Sequence, residues 1–201
     1  MTAAAALGRR PMAWALRFAA LMALAGACKE QPALPELVEV PAFELIDHRG
    51  EPFDRGGLEG KVSIISFVFT RCPTICPLLS QHSMELQEEI RDEEGIQIVS
   101  ISVDPDHDTP AELRAYRERF SADDALWVHL TGQAPAIHRV AVQGFRVALG
   151  EREPVEGGGY DILHSSHFIL VDRSGTIRGY YRAEPEPLRD LLRDAKRLVA
   201  E

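Results

Sequence analysis

Runs of apolar residues separated by polar turns divide the chain into short segments, which predict alternating strands and helices. Residues 61–70 and 96–103 are almost continuously apolar, as is typical of strands covered on both faces of a sheet. Apolar residues at helical spacing predict a helix over 77–91. Thr109, followed by Pro and then by Glu three positions on, is typical of the start of a helix, which we expect to end near Phe120.

The rest of the chain continues this alternation. It predicts four more strands and two more helices: strands at 42–47, 126–130, 167–171 and 176–181, and helices at 134–143 and from 186 or 187 to 200. Residues 150–159 are rich in Gly and Glu and predict a mobile loop. The fold class is therefore α/β, with a central mixed sheet flanked by helices and an N-terminal strand extension.

The first 28 residues have a different pattern. Three arginines and no acidic residue accompany an apolar or small run at 18–27, which is the layout of a signal peptide. The sequence Leu-Ala-Gly-Ala-Cys at 24–28 is similar to a bacterial lipoprotein signal, so we predict a signal peptide at 1–27 and a lipidated Cys28. An uncleaved membrane anchor is the alternative, although the run is shorter than the roughly 20 residues of a spanning helix.

Length and charge narrow the class of protein. The chain has 201 residues, of which 45% are hydrophobic, which suits one domain with a core plus an extra segment. We expect a tether at 28–41, where prolines and acids are frequent, and the folded domain at 42–201. The net charge of −9 argues against nucleic acid as a partner. The signal predicts an extracytoplasmic, membrane-attached protein in a compartment where disulfides form.

Two cysteines, Cys72 and Cys76, directly follow the strand at 61–70, and three uses are open to them. A structural disulfide across so short a loop contributes only about 2 kcal/mol. A thioredoxin-like redox site normally has two residues between its cysteines, whereas this pair has three. A metal site is the third use: two thiolates select a soft ion such as Cu(I), while structural zinc usually needs four Cys or His ligands.

The fold places these thiols at a strand end and a helix N-terminus, where α/β proteins build sites and where the pKa of a Cys is lowered. His164 and His167 precede the strand at 167–171 and are the candidate third ligands. Because side chains three apart on a strand point to opposite faces, only one of them should reach the thiols. The other histidines fall in predicted turns or helices without a special context: His48, His82, His107, His129 and His138.

Three segments resemble the Sco/SenC family of copper chaperones. They are Phe-Thr-Arg-Cys-Pro-Thr-Ile-Cys-Pro at 69–77, Ser-Val-Asp-Pro-Asp-His-Asp-Thr-Pro at 102–110, and His-Ser-Ser-His-Phe-Ile-Leu-Val-Asp-Arg-Ser-Gly at 164–175. The resemblance covers residues from about 40 to 200. It implies a thioredoxin-like fold and delivery of copper to cytochrome c oxidase, chiefly to its binuclear CuA centre.

The same resemblance implies a ligand set. Copper would be bound by Cys72, Cys76 and a His that lies eleven residues before the Gly of the following turn, which selects His164. Thioredoxin-like reductases place a cis-proline opposite their thiols, but no Pro occurs between Pro154 and Pro185. This difference favours metal binding over exchange chemistry.

Asp104 follows the strand at 96–103, whose carboxyl end should lie beside the thiol loop. It is a candidate to tune copper binding or to contribute to a docking surface for a partner, and an ordinary turn residue is the alternative. Asp108 and Thr109 are interpreted as a turn and a helix cap, and Met84 as a packing residue.

The main functional alternative is a thiol-disulfide reductase that acts on the cysteines of the oxidase subunit or of other exported proteins. A peroxidase-like redox sensor, with rapid sulfenic acid formation at one Cys, is a third class.

Overall fold

The computed structural model describes residues 32–156 and 158–201. The predicted signal peptide and Cys28 lie outside these residues. Within the described part of the chain, no helix has the length and apolar character needed to cross a membrane.

In the described part of the chain, ten strands form one large sheet and one small hairpin. In chain order they are β1 (Val38–Glu39), β2 (Glu44–Asp47), β3 (Pro52–Asp54), β4 (Val62–Val68), β5 (Ile96–Ser102), β6 (Trp127–Thr131), β7 (Arg152–Pro154), β8 (Tyr160–Ile162), β9 (His167–Val171) and β10 (Thr176–Arg182). The large sheet has the order β1-β10-β9-β4-β5-β6-β2-β3, and β7 pairs with β8 apart from it. Strands β4, β5 and β6 are parallel, whereas β9 runs antiparallel to β4.

The centre of the sheet is β4 beside β5. They pair in register from Val62 with Ile96 to Val68 with Ser102, and every residue of both strands is buried. This confirms the prediction of two strands covered on both faces, because an exposed face would have required polar residues at alternate positions.

Among the residues that the structure describes, four α-helices accompany the sheet: α1 (Cys76–Glu89), α2 (Pro110–Glu118), α3 (Ala134–His138) and α4 (Pro185–Ala200). The Thr109 hydroxyl accepts a hydrogen bond of 3.3 Å from the Glu112 backbone N–H, which confirms the predicted cap. Helix α3 continues as a π-helical turn over Arg139–Gly144, so the predicted helix is present but changes its hydrogen-bond pattern. The mixed α/β architecture is as predicted.

The folded domain begins before the predicted boundary. Strand β1 pairs with β10, Val40 is fully buried, and the Arg178 side chain donates to the carbonyls of Leu34 (2.7 Å) and Pro35 (3.0 Å). The expectation of a free tether up to residue 41 is therefore wrong for residues from Leu34 on. The prolines and acids of this segment predicted a tether. Its backbone groups nevertheless find partners distant in sequence, namely the edge of β10 and the buried Arg178 guanidinium.

The predicted mobile loop at 150–159 is also different. Its first half forms β7, which pairs with β8 from Arg152 opposite Ile162 to Pro154 opposite Tyr160. Gly158 and Gly159, with φ of +94° and +91°, lie in the connection between the two strands. Glycines suited to left-handed backbone thus make a hairpin, which composition alone did not indicate.

Candidate metal centre

The two cysteines lie where the central strand passes into a helix. The chain leaves β4 at Val68, and Cys76 is the first residue of α1. Cys76 Sγ accepts a hydrogen bond from the Phe69 N–H, and Cys72 Sγ accepts one from the Cys76 N–H, both at 3.4 Å. Both thiols are free, and the backbone of the loop holds them against each other.

His164 completes the cluster from a distant part of the chain. Its Nε2 lies 3.2 Å from Cys76 Sγ, and the ligand atoms of Cys72, Cys76 and His164 all lie within 4.8 Å of one another. The other ring nitrogen, Nδ1, is 3.0 Å from the Ser165 carbonyl. A carbonyl only accepts, so Nδ1 donates to Ser165, and Nε2 is the ring nitrogen that faces the thiols.

The two thiols differ in charge. A hydrogen bond from Cys76 and a further one from His164 hold the pKa of Cys72 well below its usual range, against the opposing effect of burial. Burial, with the neighbouring Cys72, raises the pKa of Cys76 far above its usual range. The pKa is therefore lowered at Cys72, where hydrogen bonds rather than the helix N-terminus lower it, and raised at Cys76, where desolvation of the fully buried sulfur dominates. Of the two thiols, Cys72 is the one that ionises more readily.

The other histidines lie elsewhere. The His167 ring is 3.5 Å from the Ser165 hydroxyl and is not part of the thiol cluster. His107 contacts Asp108 and Thr70. The strand predicted at 126–130 is confirmed and the assignment of His129 to a turn or helix is wrong, because His129 sits in β6 with no exposed surface. His48 is buried beside it, and its Nδ1 accepts from the His129 backbone N–H at 3.4 Å.

Asp108 holds the loop that carries the thiols, a role that sequence reasoning missed. Its buried carboxylate accepts from the Thr70 N–H (3.0 Å), from the Thr70 hydroxyl (2.6 Å) and from the Ser102 hydroxyl (2.6 Å). Thr70 lies two residues before Cys72, so this carboxylate ties the loop to the end of β5. The sequence signal for this role was the Asp-Thr pair before a helix. It was missed because a helix cap at Thr109 is enough to explain that pair. Met84 packs against the core, as interpreted.

Asp104 is fully buried, and its carboxylate bonds to the β7–β8 hairpin. It accepts from Arg152 Nε at 3.1 Å and, by short contacts, from Arg152 Nη2 and the Tyr160 hydroxyl. Arg71 lies 3.8 Å away. Burial and the bond to Asp104 raise the pKa of Tyr160. Asp104 therefore lies near the thiol loop. Within the described chain, the hydrogen bonds of its carboxylate come from the hairpin and not from a thiol.

These features define a class: an α/β domain with two free thiols and one imidazole brought together at the end of its central parallel strands. A protein-family model described as SCO1/SenC matches residues 32–200. The SCO1 protein homolog of Bacillus subtilis (strain 168) is 30% identical over 161 residues, which are 79% of this chain and 81% of that protein. The chain belongs to the SCO1/SenC family.

Solved structures of Sco proteins have the same fold as this chain. A SCO1/SenC family lipoprotein from Bacillus anthracis superposes with a TM-score of 0.73 at 33% identity, covering 84% of this chain and all of that one. ScoI of Bradyrhizobium japonicum, with copper bound, gives 0.65 at 28% identity over 80% and 99%. BsSco, a Sco cytochrome c oxidase assembly protein with a disulfide switch, gives 0.72 at 28% identity over 85% and 99%. The fold is the thioredoxin-like fold of Sco proteins, as the resemblance implied.

Proposed function

We propose that this chain is a copper metallochaperone that captures copper with Cys72, Cys76 and His164 and delivers it to cytochrome c oxidase, for assembly of the CuA centre. The observation that carries the proposal is the approach of three donor atoms within 4.8 Å of one another. A copper-bound Sco structure and a relative named for cytochrome c oxidase assembly support the same reading.

The donor set fits a soft metal ion. Two sulfurs and one imidazole nitrogen suit Cu(I), and within the described chain this cluster has one donor fewer than a structural zinc site. The pKa of Cys72 is already lowered, whereas Cys76, whose pKa is raised, gives up its proton when the metal binds. Copper is cargo here, and it passes on by exchange of these ligands for those of the acceptor subunit.

Copper titration of the reduced protein tests the ligand set. Cys72→Ala, Cys76→Ala and His164→Ala should each weaken binding by more than about 100-fold, since loss of a mere outer partner already costs about 10- to 100-fold. His167→Ala is the matched control, because this ring lies three residues away and outside the cluster, and it should bind as the wild type does. Unchanged affinity in all three ligand variants would refute the proposal.

A thiol-disulfide reductase is the second candidate, and the unequal thiols favour it. The Cys72 thiolate attacks a disulfide of an exported protein, forming a mixed disulfide and expelling one sulfur as a thiolate. Cys76, once deprotonated, attacks Cys72 Sγ and releases the second sulfur, which leaves the partner reduced and this pair oxidised. Copper binding is then lost until the pair is reduced. Insulin reduction without copper measures this activity, and an absence of turnover would remove this candidate.

We also propose that the domain works outside the cytoplasm, held at the membrane by a lipid on Cys28 or by the N-terminal segment. The likeness to a Bacillus anthracis family lipoprotein supports this location. Cys28→Ala lacks the thiol that would carry the lipid, so this variant should appear in the soluble extracytoplasmic fraction. Retention of this variant in the membrane would point to the uncleaved anchor instead.

A further inference from the structure

The β7–β8 hairpin leads directly into the link that carries His164, which then enters β9 at His167. Strand β8 ends at Ile162, two residues before His164, and the Gly150 N–H donates to the Leu163 carbonyl at 2.8 Å. The hairpin is not part of the eight-stranded sheet. The position of the hairpin therefore depends on side-chain contacts. The thiols differ in this respect, because their loop follows directly from the central strand β4.

Both strands of the hairpin are fastened to one buried carboxylate. Arg152 comes from β7 and Tyr160 from β8, and each donates to Asp104. Asp104 has no exposed surface and sits just beyond β5, on the rigid part of the sheet. Hydrogen bonds to an ionised acceptor are the strong ones, and a buried carboxylate left without them carries a large penalty.

The Tyr160 ring extends this attachment to the site itself. It stacks on Phe69 with centroids 6.1 Å apart and planes within 8° of parallel. The Phe69 ring in turn meets the His164 imidazole edge to face at 5.9 Å. The Arg71 guanidinium, next to Cys72 in the chain, lies 4.8 Å from the centre of the Tyr160 ring. Tyr160 thus contacts two residues of the segment that leads to the thiols, and one of them, Phe69, also contacts His164.

We propose that Tyr160 and Arg152 are positioning residues, which hold His164 beside the thiols by fastening the hairpin to Asp104. The inference rests on the proposed function, in which His164 is a copper ligand. It divides the site into two parts: a pair of thiols at the end of β4, and one imidazole in the short link between the side-chain-attached hairpin and β9. Release of this attachment removes one ligand and leaves two, so His164 is the ligand suited to leave first when copper passes to an acceptor.

A double-mutant cycle on copper affinity tests the proposal. Tyr160→Phe, which keeps the ring and loses the hydroxyl, should weaken copper binding on the order of tenfold in the otherwise unchanged protein. In the His164→Ala background the same substitution should have no effect, because the ligand it positions is gone. Tyr181→Phe is the matched control: its hydroxyl also donates to a carboxylate, that of Asp194 at 2.8 Å, but on β10 and α4.

A spectroscopic measurement separates positioning from general loosening. In the copper(II) form, the coupling of the electron spin to imidazole nitrogen should weaken in Tyr160→Phe and remain in Tyr181→Phe. Arg152→Gln should repeat the Tyr160→Phe pattern, and it decides the matter if Tyr160→Phe does not fold. Equal weakening of copper binding with and without His164, or no weakening in either, would overturn the inference. Absence of copper binding by the unmodified protein would instead overturn the proposed function on which the inference rests.

Discussion

We expect the buried histidine of β6 to make the domain less stable in mild acid. His129 has no exposed surface, its ring lies 4.8 Å from that of Trp127, and neither ring nitrogen has a hydrogen-bond partner among the described residues. Burial, then the charge of Arg117 and the neighbouring His48, lower its pKa well below the usual value. Protonation would create an unpaired buried cation, so the folded protein keeps this ring neutral.

The sign and size follow from proton linkage. The unfolded chain binds the proton near the ordinary pKa of about 6.5, whereas the folded protein does not, so stability is complete above that pH and falls as pH drops through it. One such group costs at most about 1.4 kcal/mol per pH unit, or about 2 kcal/mol in total between about pH 7.5 and about pH 5. The pKa of His48 is also lowered, by burial and by Arg117, with Asp47 and Asp124 opposing, so it adds to the same trend.

Urea unfolding of the reduced, copper-free protein at a series of pH values measures the effect. His129→Phe keeps an aromatic ring of similar shape and cannot take up a proton. Relative to the wild type, it should therefore gain about 2 kcal/mol of unfolding free energy on going from about pH 7.5 to about pH 5. Exposed His138 supplies the control, because His138→Gln should leave the pH dependence unchanged.

The reasoning would be refuted by parallel pH profiles for the wild type and His129→Phe. Such a result would mean that the folded protein accepts the proton at His129 as readily as the unfolded chain does, for example by opening this part of the core to water.

Two further predictions concern buried ionic groups. Asp108→Ala removes the acceptor for the Thr70 N–H and hydroxyl and should cost about 1.5–3 kcal/mol of unfolding free energy. Amide hydrogen exchange at 69–72 should become faster, which would locate the loss in the thiol loop. Unchanged exchange there would contradict the role assigned to Asp108. Arg178→Met leaves the Asp172 carboxylate and the carbonyls of residues 34–35 without this partner. The free energy of unfolding should fall by about 3 kcal/mol, which lowers Tm by about 6–12 °C. Limited proteolysis should then begin at the N-terminal residues. An unshifted Tm would show that the N-terminal segment packs independently of Arg178.

Elements with a strong local pattern were predictable. The continuous apolar runs at 61–70 and 96–103 predicted strands covered on both faces, and they form β4 and β5. The start of α2 at Thr109 was equally clear, because a capping hydroxyl, a proline and a glutamate act within one turn. Where the partner is distant in sequence, as for β1 on β10 or for β7 on β8, local composition predicted a tether and a loop instead.

What the sequence by itself determined about this protein is the nature of its chemistry: two thiols three residues apart at the end of a buried strand, with a histidine eleven residues before the Gly of a later turn. Only the tertiary structure decided which groups meet and in what state. It placed His164 rather than His167 at the thiols, lowered the pKa of Cys72 through hydrogen bonds while burial raised that of Cys76, and attached the hairpin that precedes His164 to Asp104. The physical reason is that burial and long-range hydrogen bonds depend on every element around the site, and these contacts join residues that lie up to about 90 positions apart in the chain.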